Sequence, residues 1–228
     1  MDHDGSMSRM LRMCEWVMRL AYTNLLWLLF TILGLGIFGL MPATTALFSV
    51  MRKWIQGHEQ VNVFRTFWKV YREEFVRSNM IGVVLFIIGT IIYVDLAYIY
   101  PTSWPLHVLR FAIYIFGFLF IVSLFYIFPL LAHYDWKKRL YLKFSLLLGV
   151  SYLQYTLSML VFSAVLLFVL FAYLPGIVPF FSVSILAYGH MWLAYQVFKK
   201  VEFESEHETA EVKKLLPSFL QSKRVNTQ

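Results

Sequence analysis

The residues best suited to chemistry in this 228-residue chain are scattered. Its six histidines stand at positions 3, 58, 107, 133, 190 and 207, and Cys14 is its one cysteine. No His-Glu-x-x-His pair, phosphate-binding loop or Cys-x-x-Cys redox pair occurs, and no Gly-x-Ser-x-Gly nucleophile turn. A single cysteine also forbids an intramolecular disulfide. The expectation is a protein that is not an enzyme and holds no cofactor and no metal.

What remains is polar chemistry in apolar surroundings. Asp95 lies in a nearly continuous apolar run, and Arg110 sits at a similar depth in the next one. Carrying an ionisable group into hydrocarbon is costly, so each such residue is a candidate for function. The spacing suggests an Asp95–Arg110 ion pair closing a helical hairpin, and the alternative is a site for a polar ligand. His190 lies mid-span, able to join a proton path or, more simply, to hydrogen-bond a neighbouring helix while neutral. Asn24, Gln154, Thr156 and Ser158 read as interhelical bonds, and Thr44 and Thr45 as partners for freed backbone groups or as the lining of a re-entrant mouth.

The elements that must position these residues follow from composition. Hydrophobic residues make up 60% of the chain and aromatic residues 19%, and the mean hydropathy is +0.65. Ordinary soluble domains are about 45–50% apolar. The apolar runs are long and lack the alternation of barrel strands, so the class is an all-α polytopic membrane protein. Five long hydrophobic helices are expected at 16–33, 79–100, 108–131, 153–174 and 177–198, forming one membrane domain over 1–198. Gly34, Gly36 and Gly39 follow the first of these, and Pro42 is well placed as the first residue of a short or re-entrant helix at 42–54. A single span at 20–41 is the competing reading.

Charge separates the two. The segments before Leu20, at 52–77, at 137–143 and after Phe198 hold 3, 6, 4 and 6 of the 20 Lys and Arg residues, which sum to 19. The positive-inside bias then places both termini in the cytoplasm of a bacterial cell membrane, with the turns at 101–107 and 175–176 outside. The net charge of +7 is explained by this orientation, so nucleic acid is not an expected partner. The lipid bilayer is.

Two amphipathic cytoplasmic helices are expected at 64–75 and 136–151. The first puts Phe64, Phe67, Trp68, Tyr71 and Phe75 on one face. That face either docks a partner or packs within the protein. Trp54, Trp68, Trp104 and Trp136 fall near expected membrane boundaries. The tail, 199–228, reads as a cytoplasmic segment whose short helix at 206–216 is capped by Ser205 and Glu208 and stopped by Pro217.

The run from Asn24 to Gly57, with Pro42-Ala43-Thr44-Thr45-Ala46-Leu47 and Arg52-Lys53-Trp54, and the following Phe64-Arg65-Thr66-Phe67-Trp68, resembles the YesL-like family. These are small bacterial integral membrane proteins of uncharacterised function. The resemblance covers about the first third of the chain and brings no catalytic residues. It implies a Gram-positive protein found beside systems that import and degrade plant-polysaccharide fragments. Permease subunits of such importers carry a cytoplasmic loop that engages the ATPase, and nothing between Gly57 and Asn79 reproduces it. The expected role is therefore a non-catalytic accessory or scaffold beside carbohydrate ABC transporter subunits, with Phe64, Phe67, Trp68 and Tyr71 as its docking face. The alternative is a small-solute carrier or channel, working as an oligomer through Asp95, Arg110 and His190.

Overall fold

A glycine corner starts the fold. In the computed structural model, α1 (His3–Leu33) and α2 (Ile37–Ile55) meet through a turn at 34–36. A Cβ on Gly34 would stand 2.2 Å from the Gly39 Cα, so the two backbones approach as only glycines permit. The turn also serves its own donors: the N–H groups of Gly34, Leu35, Gly36 and Ile37 all bond to carbonyls between Phe30 and Leu35. The structure describes the backbone at 3–58, 60–98, 100, 102–136 and 138–225, and side chains at 9–58, 60–98, 100, 102–136 and 139–204.

The chain continues as α3 (Val63–Tyr98), α4 (Trp104–His133), α5 (Lys138–Ser151), α6 (Leu153–Tyr173), a 3-10 turn at Pro175–Ile177 and α7 (Val178–Val225). No strand occurs among the described residues. Five segments, Arg9–Leu33, Val63–Tyr98, Trp104–His133, Leu153–Tyr173 and Pro175–Glu204, are long and apolar enough to cross a membrane. This is a multi-pass membrane architecture. α2 lies at its centre, antiparallel to α1 and α3, with Trp54 against Trp16 and Phe48 stacked on Phe128 of α4.

Four expectations change. Pro42 is not the first residue of its helix, because α2 begins five residues earlier. A proline there leaves the carbonyl of Phe38 without its helical donor, and the Asn79 side chain supplies one at 2.9 Å. The amphipathic segment 64–75 and the span 79–100 are one helix, since Val76, Arg77 and Ser78 contain no breaker. The tail has no separate helix at 206–216, as α7 runs unbroken through Ser205 and Pro217; Pro101 and the side chains of Ser205 and Glu208 lie outside the described residues. Trp54 is buried against Trp16 and so faces protein rather than lipid, outside any aromatic belt. By contrast, α5 falls within two residues of its expected bounds, and Ser123 and Ser145 join it to α4 at 2.6 Å.

Candidate functional site

The expected docking face is largely filled from within. Phe30 of α1 enters the row formed by Phe64, Phe67, Trp68 and Tyr71, with ring centroids 5.0–6.3 Å away. The Tyr71 hydroxyl donates to the Phe30 carbonyl at 3.1 Å. Phe67 and Tyr71 are buried, which removes them from any docking surface, while Phe64 and Trp68 stay about half exposed. Spacing fixes which residues share the face, but only the return of α1 determines what covers it.

Asp95 and Arg110 do not pair. The ion pairs among the described residues do not join them. Arg110 Nε donates instead to Tyr114 Oη, one turn along α4, at 3.2 Å. Asp95 lines a cleft of about 450 Å³ between α3 and α4, among Ile91, Ile92, Ile113 and Phe116. A local partner at i+4 competes well with one across a hairpin. His190 bonds Ser163 of α6 at 2.7 Å and lies between Phe125 and Phe162. Asn24 is buried and ties α1 to α7, donating to the Pro179 carbonyl at 2.6 Å and accepting from the Ser184 N–H at 3.0 Å. The four intramembrane polar residues thus remain apart and share no site.

A polar layer forms elsewhere, where the ends of α2 and α4 meet α3, α5 and α7. Arg77 is its hub. Its guanidinium pairs with Asp135, lies 2.9 Å from Glu74 Oε2 and donates to Tyr141 Oη at 2.6 Å. Tyr141 in turn donates to the Tyr134 carbonyl at 2.7 Å and accepts from the Trp136 N–H at 2.8 Å. Arg52 Nη1 donates to the His133 carbonyl at 3.0 Å. The Tyr134 hydroxyl donates to Glu202 of α7 at 2.9 Å, and its ring stacks on Trp136. A cavity of about 240 Å³ lies within, lined by Arg52, Lys53, Glu73, Glu74, Arg77 and Asp135 among others.

Three cations face three carboxylates around this cavity, so the layer carries little net charge. Burial pushes the Tyr141 hydroxyl above its ordinary range. Burial, and then the Glu202 carboxylate, do the same to Tyr134. Both phenols are therefore held as protonated donors. Such an arrangement fixes five helices at one end. Among the described residues, no cluster of three His, Cys, Asp or Glu side chains could hold a metal ion.

Residues 20–96 match the family model described as "Protein of unknown function, DUF624". The protein YteU of Bacillus subtilis is 68% identical over 202 residues, covering 89% of this chain and 90% of that one. YesV and YesL of the same organism are each 34% identical, over 86% of this chain and 94% and 93% of theirs. The chain belongs to the DUF624 family. No solved structure matches it. The DUF624 segment holds the glycine corner, all of α2, the packing of Phe30 on α3 and the Asn79–Phe38 bond, and the rest of the buried core comes from α4, α5, α6 and α7. It holds part of the polar layer, Arg52, Lys53, Glu73, Glu74 and Arg77; His133, Tyr134, Asp135, Trp136, Tyr141 and Glu202 come from beyond it. The sequence reading missed this layer because its charges looked like those of solvated faces. The available signal was Glu74 three residues before Arg77, with Asp135 closely following a span.

Proposed function

We propose that this chain is a non-catalytic accessory or scaffold protein of the bacterial cell membrane, with its charged layer and both termini in the cytoplasm. It works beside machinery that takes up plant-polysaccharide fragments. The observation that carries the reading is the polar layer: Arg77 is held by Glu74 and Asp135, while Arg52 and Tyr141 bond backbone carbonyls at the end of α4, an arrangement suited to holding helix ends rather than turning over a substrate. The remaining outward aromatics at this end of α3, Phe64 and Trp68, are the surface left for a partner; Trp and other aromatics are favoured interface anchors. The distribution of Lys and Arg supports the orientation.

Purification in mild detergent at native expression, followed by mass spectrometry, tests the role. Co-purified permease and sugar-binding subunits are expected, and their loss in a Trp68→Ala variant of unchanged stability. A solitary protein would overturn the reading. For orientation, an impermeant thiol reagent on intact cells of a Cys14→Ser background should label Ser103→Cys and spare Leu220→Cys. A second reading, a small-solute carrier acting as an oligomer, draws on Asp95 in its cleft; solute flux in proteoliposomes that Asp95→Asn abolishes would favour it.

A further inference from the structure

Beside the α1–α2 tip a cleft of about 620 Å³ opens between α3 and the first turns of α5. Its size is that of a small-molecule site, which typically has about 300–1,000 Å³. Phe38 lines it from the tip, Phe75, Val76 and Val83 line it from α3, and Leu142 lines it from α5. Arg139 is its one charged lining residue. Asn79 also reaches the cleft, but its amide already donates to the carbonyls of Phe38 and Phe75, at 2.9 and 2.8 Å.

Arg139 is followed by Lys143 four residues on, both exposed on α5. Neither takes part in an ion pair with any described residue. Two like charges at this spacing on a helix repel, and an anion placed between them removes the repulsion. The cleft is thus apolar along its length and cationic at one end. That end adjoins the polar layer, since Tyr141, between Arg139 and Lys143, bonds Arg77. The neighbouring cleft between α3 and α4 has the opposite character, with Asp95 as its charged residue.

We propose that this cleft binds an anionic phospholipid of the inner leaflet. The phosphate lies against Arg139 and Lys143, and an acyl chain runs along Val76 and Val83 beneath Phe38. The cytoplasmic leaflet supplies such lipids, and basic pockets between membrane helices recognise their headgroups. The inference rests on the cytoplasmic orientation of α5 and not on the scaffold role.

The test uses the full-length protein in mild detergent, with phosphatidylglycerol or phosphatidylcholine added and retention read by native mass spectrometry. Phosphatidylglycerol should be retained in preference. Arg139→Gln and Lys143→Gln should each lower its retention roughly fivefold and leave phosphatidylcholine unchanged. Val83→Trp, on the other wall, should lower retention of both lipids by filling the cleft. Glycerol 3-phosphate should not compete, because it lacks the chain. Equal retention of the two lipids would overturn the proposal, as would a wild-type preference in the double Arg139→Gln, Lys143→Gln variant. Unchanged binding by Val83→Trp, or displacement by glycerol 3-phosphate, would remove the acyl-chain site.

Discussion

α2 and α6 are both apolar and of similar length, yet they occupy opposite environments. In α2, 11 of 19 residues are buried, including every position from Thr45 to Met51, so that stretch leaves no face for lipid and only the first turn, with Ile37, Phe38 and Leu40, stays exposed. In α6 only Thr156, Met159 and Leu170 of its 21 residues are buried, so most of its surface is available to lipid or a partner. The helix richer in large aliphatic residues is the outer one. Hydrocarbon solvates Leu and Phe as well as a protein interior does, so hydrophobicity does not sort inside from outside in a membrane. Small residues do, because they let backbones approach. Gly39, Ala43, Thr45, Ala46 and Ser49 mark α2 as the centre.

Enlarging a small residue at the core should break the α2 side of this contrast most severely. In Gly34→Val the added carbons would meet the backbone of Gly39 and the Tyr71 hydroxyl. Neither neighbour is a flexible side-chain end free to yield, so the folded yield on size-exclusion chromatography should collapse. Ala46→Leu, at a fully buried position, should destabilise by about 1–3 kcal/mol through overpacking. Leu157→Ala on the exposed face of α6 should stay within about 0.5 kcal/mol. Equal sensitivity of α2 and α6 in thermal unfolding would mean that α6 is covered, as by a second copy.

The polar layer sharpens the contrast at intermediate magnitude. Arg77→Gln takes the ion-pair partner from a largely shielded Glu74 and frees Tyr141 from one of its partners. A loss of roughly 1–2 kcal/mol is expected, since the pair is partly exposed. Glu74→Gln in the same chain should restore part of it. Additive losses would separate the two residues. Asn24→Leu removes both bonds between α1 and α7 and should cost about 1 kcal/mol.

The smallest effect concerns pH. Tyr134 and Tyr141 have hydroxyls raised above their ordinary values by burial, with Glu202 adding to the shift at Tyr134. The folded state therefore holds their protons more tightly than the unfolded chain. Their contribution is complete below the ordinary phenol pKa of about 10 and declines as pH rises above it. Tyr134→Phe should flatten the fall in thermal stability above about pH 10, and an unchanged slope would assign that fall to other groups.

Several sequence expectations survive because they depend on properties local to the chain. Runs of about 20 apolar residues force helices, since backbone groups in hydrocarbon have no other partner. Asn24, buried in an apolar run, needs a neighbouring helix, and it has one in α7. The single helix of α3 is not among them: no Gly or Pro separates Phe75 from Asn79, but the change from charged to apolar residues suggested a boundary that the backbone does not make.

Other features depended on distant partners. Periodicity placed Phe64, Phe67, Trp68 and Tyr71 on one face, but whether a binding partner or Phe30 meets them depends on where α1 turns back. Pro42 reads as a helix start because nothing local replaces its missing N–H. Asn79, 37 positions away, serves the carbonyl that Pro42 leaves free. The sequence alone thus determined helical class, membrane residence and the bias of charge, which follow from short-range chemistry. Tertiary structure decided that α2 is the centre, that Arg110 turns to Tyr114 rather than Asp95, and that Glu74, Arg77, Asp135 and Tyr141 share one layer. Each of these depends on which helices come together, and apolar surfaces equally at ease in lipid and in protein leave that choice to close packing and to a few hydrogen bonds.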